Sequence, residues 1–345
     1  MLKKRKYKKG LVSIIVINYN GYRFLKGCLY SICTQTYKHI EVIFVDNASK
    51  DDSVKFVKNN YSSTHIISNK SNFGYAKGSN IGVENCKGEY VMILNNDTVL
   101  NPDTVRVLLD AFKSIPDLGV VQPQIRLMNN PQKLDACGSF WTDTGFNYHY
   151  GIYKDASNPK YNIPFPVYSV KGVCMLIPHE LVDKIGLFDE NFWCYFEETD
   201  FCHRVWLAGY QCWYYPKTYI YHHLGGTSLK EANAIVQYHS FKNRLCSYLK
   251  NLSAKEMIKI MPVYLVFNFV QALYNLFLLK PDWFIIISRS IIWNMRNIRY
   301  TINKRRKIQK IIRSKSDEEI FALTKKNPRL SYYLHLFDGL QYYGD

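Results

Sequence analysis

A chain of 345 residues with 47% hydrophobic content is long enough for a substantial core and fits one large domain with an appendage better than a single small module. Its formal charge of +17 and pI near 9.3 imply attraction to an anion: nucleic acid, an anionic membrane surface or a phosphorylated substrate. Nine cysteines, with no CxxC pair and no regular spacing, suggest reduced thiols in a reducing compartment, with one disulfide left open.

Lys3, Lys4, Arg5, Lys6, Lys8 and Lys9 form a basic arm over residues 1–10. The following run, Leu11–Ile17, contains Ser13 and leads into Asn18 without a small-residue cleavage site, so it reads as a first strand and not as a signal peptide. Leu11–Ile17, Ile40–Val45, His65–Ile67, Tyr90–Leu94 and Val120–Val121 are predicted strands, apolar on both faces as in a covered parallel sheet. Between them Tyr22–Thr34, Asp52–Asn60, Ala76–Cys86 and Pro102–Ser114 fit crossover helices, the second capped by Asp52 or Ser49 and the last with Pro102 in its first turn. This alternation defines an α/β fold.

From about Leu127 to Ser169 the rhythm gives way to Asn, Pro, Gly and Tyr, as in long loops and short strands around a site. Order returns with a strand at Gly172–Ile177, helices near Pro178–Ile185 and Glu198–Ala208, and the aromatic strand Gln211–Tyr221. After about Ser228 the chain reads as mainly helical. Ile260 to Leu279 is uncharged across 20 residues and flanked by Lys259 and Lys280, yet Tyr264, Asn268, Gln271 and Asn275 recur on one helical face. A helix lying in a membrane interface, or packed on the body, explains this better than a single span. Trp283–Met295, with Arg289 inside, also fits an interface, and the stretch from Arg296 to Lys315 is basic without an acidic residue.

Ligands of open α/β sheets bind at the carboxyl ends of the strands. Three such ends are polar here: Asn18-Tyr19-Asn20, Asp46-Asn47-Ala48-Ser49 and Asn95-Asn96-Asp97. Each alone reads equally well as a turn; three on one sheet edge favour a site. No GxGxxG or Walker sequence follows the first strand. Instead, Asn72 to Gly82 opens a helix with glycines, Lys77 and asparagines, a pattern able to hold phosphate.

The segments "SIIVINYN", "EVIFVDNASKDDS", "NFGYAKGSNIG", "YVMILNNDT", "VKGVCMLIP", "LFDENFWCYFEETDFCHRVWLAGY" and "YHHLGGTS" resemble, in order and spacing, the family 2 glycosyltransferases, within them the rhamnosyltransferase-like branch. The resemblance covers about residues 11–228. It implies a GT-A fold: a mostly parallel central sheet flanked by helices, with a nucleotide-sugar-binding half (11–125), an acceptor-binding half (126–228) and, here, a helical, basic, membrane-associated C-terminal region (229–345). It implies inverting transfer of a sugar from a nucleotide-diphosphate donor, assisted by Mg²⁺ or Mn²⁺.

Carried over residue by residue, the resemblance puts Asn18 and Asp46 on the base and ribose side of the donor, with Asn20, Asn47 and Asn96 beside them and Lys77 and Asn80 on the helix that approaches it. Asn95 and Asp97 fall on the outer positions of the metal-binding DxD motif, Asn95 replacing an aspartate. His222 matches a histidine that completes the metal site in several members, with His223 as the alternative. Glu198 falls on the general base; it is one methylene longer than the usual aspartate, so Glu197 stands as a second candidate. Trp193 and Asp200 are assigned to the acceptor, and Trp141 and Tyr195 are further aromatics able to stack on a sugar.

The function expected is transfer to a hydroxyl of a glycan or polyprenyl-linked glycan at the cytoplasmic face of the cell membrane. A non-catalytic sugar-nucleotide binder is the alternative. A basic nucleic-acid-binding protein is a third reading, disfavoured because the basic runs lack a recognition-fold signature.

Overall fold

The computed structural model describes residues 6–223, 233–277, 279 and 281–333. Residues 1–5 of the basic arm, the end of the YHHLGGTS motif from residue 224, the boundary at Ser228 and the flanking Lys280 therefore lie outside the described residues. In chain order the elements are β1 (Lys8–Asn18), α1 (Tyr22–Cys33), β2 (Ile40–Asp46), α2 (Ser53–Asn60), β3 (His65–Ser68), α3 (Gly74–Glu84), β4 (Gly88–Asn95), β5 (Thr98–Leu100), α4 (Thr104–Ser114), β6 (Leu118–Leu127) and β7 (Asn130–Ala136). Then come β8 (Ser139–Phe140), β9 (Tyr148–His149), β10 (Phe165–Pro166), β11 (Cys174–Pro178), α5 (His179–Ile185), α6 (Glu197–Leu207), β12 (Gln211–His222), α7 (Asn233–Asn251), α8 (Ala254–Phe277), α9 (Asp282–Arg296), α10 (Ile298–Lys307) and α11 (Asp317–Thr324).

The main sheet runs β10-β12-β6-β11-β4-β1-β2-β3, with β5 joined to β12 and β7 to β6. β3, β2, β1 and β4 are parallel, β12 runs parallel to β6, and β11 is antiparallel to both β4 and β6. The period of two in β1 explains its place at the centre. Val12, Ile14 and Val16 pack with Leu25, Leu29 and Val57 of α1 and α2 on one face. Ile15 and Ile17 pack with Ala76 and Val83 of α3 on the other. Each such side chain contributes roughly 1.5–3 kcal/mol on burial.

Several boundaries differ from expectation. β1 begins at Lys8, inside the expected basic arm, because Lys8 pairs with Gly88 and Gly10 N donates to Glu89. β6 extends well beyond Val120–Val121: Gln122 and Gln124 interrupt the apolar pattern but are buried and bonded, Gln122 to Lys171 N and Gln124 to Tyr214. Asp51, not Asp52 or Ser49, bonds the first amide of α2, and Pro102 precedes α4 instead of opening it.

The helices after residue 233 share the core of the body. Phe241, Tyr248, Ile260, Ile308 and Phe321 lie in one cluster with Trp141, Phe146 and Tyr168. α8 is long and apolar enough to cross a membrane by length and composition. Its polar residues Tyr264, Asn268 and Asn275 are buried against the body, whereas Val266, Phe269, Val270, Leu273 and Phe277 are exposed. An interfacial helix presenting its polar face to water would have the reverse arrangement; here the tyrosine and asparagines serve packing and the apolar face points outward.

Candidate active site

Register brings the polar strand ends together. Asn18 pairs with Asp46 across β1 and β2, and Ile17 pairs with Asn95 across β1 and β4. Asn18 Nδ2 donates to Asp46 Oδ1 (2.9 Å) and Ser49 Oγ (3.0 Å), and Asn96 Nδ2 donates to Asn18 Oδ1 (2.6 Å). Asp46 also accepts from Ser49 N at 2.9 Å. Asn18, Asp46 and Asn96 are all buried, so they form a hydrogen-bonded floor beneath the cleft. Gly21 closes over it: a Cβ there would lie 2.0 Å from Asn96 Nδ2 and 2.4 Å from Asn18 Oδ1. Asn20, at φ 50°, accepts from Lys50 N through its side chain.

The helix-opening motif is tied to this floor. Asn47 Nδ2 donates to Gly74 O and Asn47 Oδ1 accepts from Asn69. Gly74 has φ +78°, and a Cβ there would lie 2.4 Å from Trp193 Cδ1. Lys77 is partly exposed, 3.5 Å from Glu190. The Asn80 side chain is committed to the following loop, its Nδ2 donating to Phe188 O and its Oδ1 accepting from Phe188 N.

At the end of β4, Asn95 Oδ1 and Asp97 Oδ1 are buried and without a hydrogen-bond partner among the described residues. Pairing of β5 with β12, His222 opposite Thr98, brings His222 Nε2 to 3.5 Å from Asp97 Oδ1. His222 Nδ1 meets Asp135 Oδ2 at 2.8 Å, and Lys171 Nζ lies 3.4 Å from the other oxygen of Asp135. Burial disfavours the imidazolium, but the hydrogen bond with Asp135 and the nearby Asp97 carboxylate outweigh it and raise the pKa of His222 to about 9. Burial would likewise raise Asp135, yet Lys171 and His222 hold it well below the usual carboxylate range. His223 contributes its backbone, N–H to Asp97 O, and its ring packs on Phe24.

Orphaned carbonyl and carboxylate oxygens beside a histidine oriented by a second carboxylate suit a divalent cation. Among the described residues no group of three or more His, Cys, Asp or Glu side chains is placed to hold a metal ion by itself.

The acid pair is linked to this turn through β11. β11 pairs with β4, and Asn95 N donates to Val173 O, so Lys171 and Gly172 lie beside the Asn95–Asp97 turn. Gly172 in turn faces Glu198, whose Cβ is 3.5 Å from the position a Gly172 Cβ would take. Burial raises both glutamates. Repulsion from Glu198 pushes Glu197 up further, whereas backbone amides and Lys171 oppose the rise at Glu198. Glu197 is the more buried, with Oε2 unpartnered among the described residues, so Glu198 is the acid that more readily carries charge.

The turn before α6 is strained: Trp193, Tyr195 and Phe196 have φ of 64°, 67° and 72°, unusual for bulky side chains. Asn243 of α7 holds it, its Nδ2 reaching Phe192 O (3.0 Å), Cys194 O (2.9 Å) and Tyr195 O (2.6 Å).

Asp200 requires correction as an acceptor residue. It is fully buried and bonded to Arg204 (3.1 Å), Asn251 (2.9 Å) and Lys250 (3.2 Å), a cluster that ties α6 to α7. Trp141 is likewise core, stacked on Phe321 at 4.6 Å. Sequence reasoning missed Asp135, Lys171 and Asn243. Lys171 lies inside the VKGVCMLIP segment, but Asp135 and Asn243 stand in stretches whose spacing carries no signal.

A mixed α/β sheet with a nucleotide-type strand edge facing an acid-bearing helix start is the architecture of GT-A glycosyltransferases. The fold aligns with a crystal structure of GalNAc-T7 with UDP, GalNAc and Mn²⁺ at TM-score 0.57 and 15% identity, over 70% of this chain and 48% of that one, so this chain spans about half of that structure. Residues 13–175 match the Glycosyl transferase family 2 model. An uncharacterized glycosyltransferase, RP339, of Rickettsia prowazekii is 28% identical over 72% of this chain and 75% of its own length. An N-acetylglucosaminyl-diphospho-decaprenol L-rhamnosyltransferase of Mycobacterium tuberculosis is 22% identical over 62% and 76%. Residues 13–175 thus carry a Glycosyl transferase family 2 domain.

Proposed function

We propose that the enzyme transfers rhamnose or another hexose, with inversion, from a nucleotide-diphosphate donor to a hydroxyl of a lipid-linked glycan in cell-surface polysaccharide or glycoconjugate synthesis. The observation that supports this reading is that sheet register brings the Asn18–Asp46–Asn96 floor beside the Asp97–His222–Asp135 group, with Glu198 packed against Gly172 next to them. The relative from Mycobacterium tuberculosis is named for a diphospho-decaprenol acceptor, which supports the acceptor class.

On this reading the donor nucleotide lies over the Asn18–Asp46 floor and its diphosphate near Lys77 and the Asn95–Asp97 turn. Asp97, Asn95 and His222 would hold Mg²⁺ or Mn²⁺, which when bound supplies charge neutralisation for the departing diphosphate. Asp135 fixes the His222 ring through Nδ1. Glu198 accepts the proton of the acceptor hydroxyl as its oxygen forms the new bond to the anomeric carbon and the bond from that carbon to the diphosphate oxygen breaks. Its raised pKa makes it a stronger base than an exposed glutamate. The exposed apolar faces of α8 and α9, with Arg289, Arg296 and Arg299 nearby, support peripheral association with the cytoplasmic membrane face.

The test incubates the protein with N-acetylglucosaminyl-diphospho-decaprenol and a panel of dTDP-, UDP- and GDP-sugars plus MnCl₂. Extension of the lipid by one sugar, lost in Glu198→Gln, is expected. Donor binding with no extension by any donor would favour a non-catalytic binder.

A further inference from the structure

A mostly apolar groove of about 660 Å³ runs between α7 and α9, lined by Trp193, Ile235, Tyr238, His239, Ile285 and Arg289 among others. Its inner wall is Trp193, whose carbonyl accepts from Ala76 N of the donor-side helix and which stands in the strained turn leading to Glu197 and Glu198. Its outer wall is open: Ile235 and Ile285 are about half exposed, at 53% and 48%. The same side of α9 continues into exposed Phe284, Ile292 and Met295, alongside the outward apolar face of α8. The groove therefore runs from Trp193, in the turn that precedes the acid pair, out to the apolar surface.

Arg289 stands in this groove, 5.5 Å from the Tyr238 ring. Asp282 also borders it, but seven residues earlier on α9, about 10 Å away along the helix. From Trp283 to Ser316 the sequence contains no acidic residue. An apolar channel with a cation along it, opening onto an apolar surface rich in arginine, is complementary to an amphiphile with an anionic phosphate head.

We propose that this groove receives the isoprenyl phosphate end of the acceptor lipid: Arg289 meets the phosphate, Ile235 and Ile285 meet the chain, and Trp193 directs the attached sugar to Glu198. The proposal rests on the glycosyltransferase reading above but concerns a surface separate from the donor floor.

The probe is farnesyl diphosphate, titrated into the full chain by calorimetry in parallel with inorganic pyrophosphate, farnesol and phosphatidylglycerol vesicles. Farnesyl diphosphate should saturate one site at least about tenfold more tightly than pyrophosphate or farnesol, and excess UDP with MnCl₂ should not displace it. Arg289→Ala and Ile285→Glu, both at exposed positions, should each weaken it about tenfold while UDP binding stays at the wild-type level. Displacement by UDP, unchanged affinity in both variants, or binding to the vesicles alone would overturn the assignment. Absence of UDP binding in the wild-type chain would instead count against the underlying donor site, so the two failures are distinguishable.

Discussion

Replacing Asn243 by alanine tests whether the C-terminal helices position Glu198, the proposed base. The wild-type amide makes contacts to the carbonyls of Phe192, Cys194 and Tyr195 at 2.6–3.0 Å, and it has two N–H groups to share among them. A buried carbonyl left unpaired costs about 1–3 kcal/mol. Phe192 O keeps the Cys194 N–H at 2.8 Å, and Cys194 and Tyr195 reach solvent, so the expected loss of stability is about 1 kcal/mol, readable by urea denaturation. The larger effect is geometric. Trp193, Tyr195 and Phe196 are held in the left-handed region, each at roughly 1–3 kcal/mol of strain, and without the clamp the turn relaxes and carries Glu197 and Glu198 with it. Displacement of a reacting group by about 1 Å lowers rate about a hundredfold. Steady-state kinetics should show kcat falling by that order with donor KM nearly unchanged, since Asn18, Asp46 and Asn96 are untouched. A variant that loses stability but keeps kcat within about twofold of wild type would refute the positioning role.

Lys250→Met should destabilise the protein by about 3–5 kcal/mol, because it leaves Asp189 and Asp200 buried with one partner fewer; chemical denaturation reads this directly. Both carboxyls are held below their ordinary pKa, burial being outweighed by Lys250. The stability they add is therefore present above the unfolded carboxylate range and lost as pH falls below about 4, which an acid titration of the wild type followed by circular dichroism should display. Lys171→Met removes the side-chain cation that opposes the rise at Glu198. The base works only when ionised, so the acid limb of the kcat profile should move to higher pH. Gly21→Ala forces a Cβ into the Asn18–Asn96 bond and should weaken UDP binding about tenfold or more, measured by calorimetry.

The α/β half was legible because its strands are short, apolar on both faces and ended by Asn or Asp, the one local pattern that marks both an element and its ligand edge. Leu11–Ile17 and Tyr90–Leu94 fall within a few residues of the bounds of β1 and β4. β6 was underestimated because Gln122 and Gln124 look like solvent-facing residues, and only their tertiary partners make them strand interior. At the site, Asp97 and His222 could be named as a pair but not brought together; the meeting depends on β5 pairing with the far end of β12. Asp200 was misread because a carboxylate in the first turn of a helix looks the same whether it faces a cleft or, as here, Lys250 and Arg204. The polar stripe of α8 was visible in its spacing, but whether that stripe faces water or the body is decided by Phe146 and Tyr248 elsewhere in the chain, which pack on Tyr264.

The most direct test of the site is calorimetric titration of UDP, dTDP and GDP into wild type, Asp97→Ala and Glu198→Gln, each with and without MnCl₂. At least one nucleotide should bind the wild type in a MnCl₂-dependent manner, lose that dependence in Asp97→Ala, and bind Glu198→Gln as it binds wild type. Binding that ignores both MnCl₂ and the Asp97 substitution, or that Glu198→Gln abolishes, would contradict the division of the cleft into a donor edge at Asp97 and a proton acceptor at Glu198.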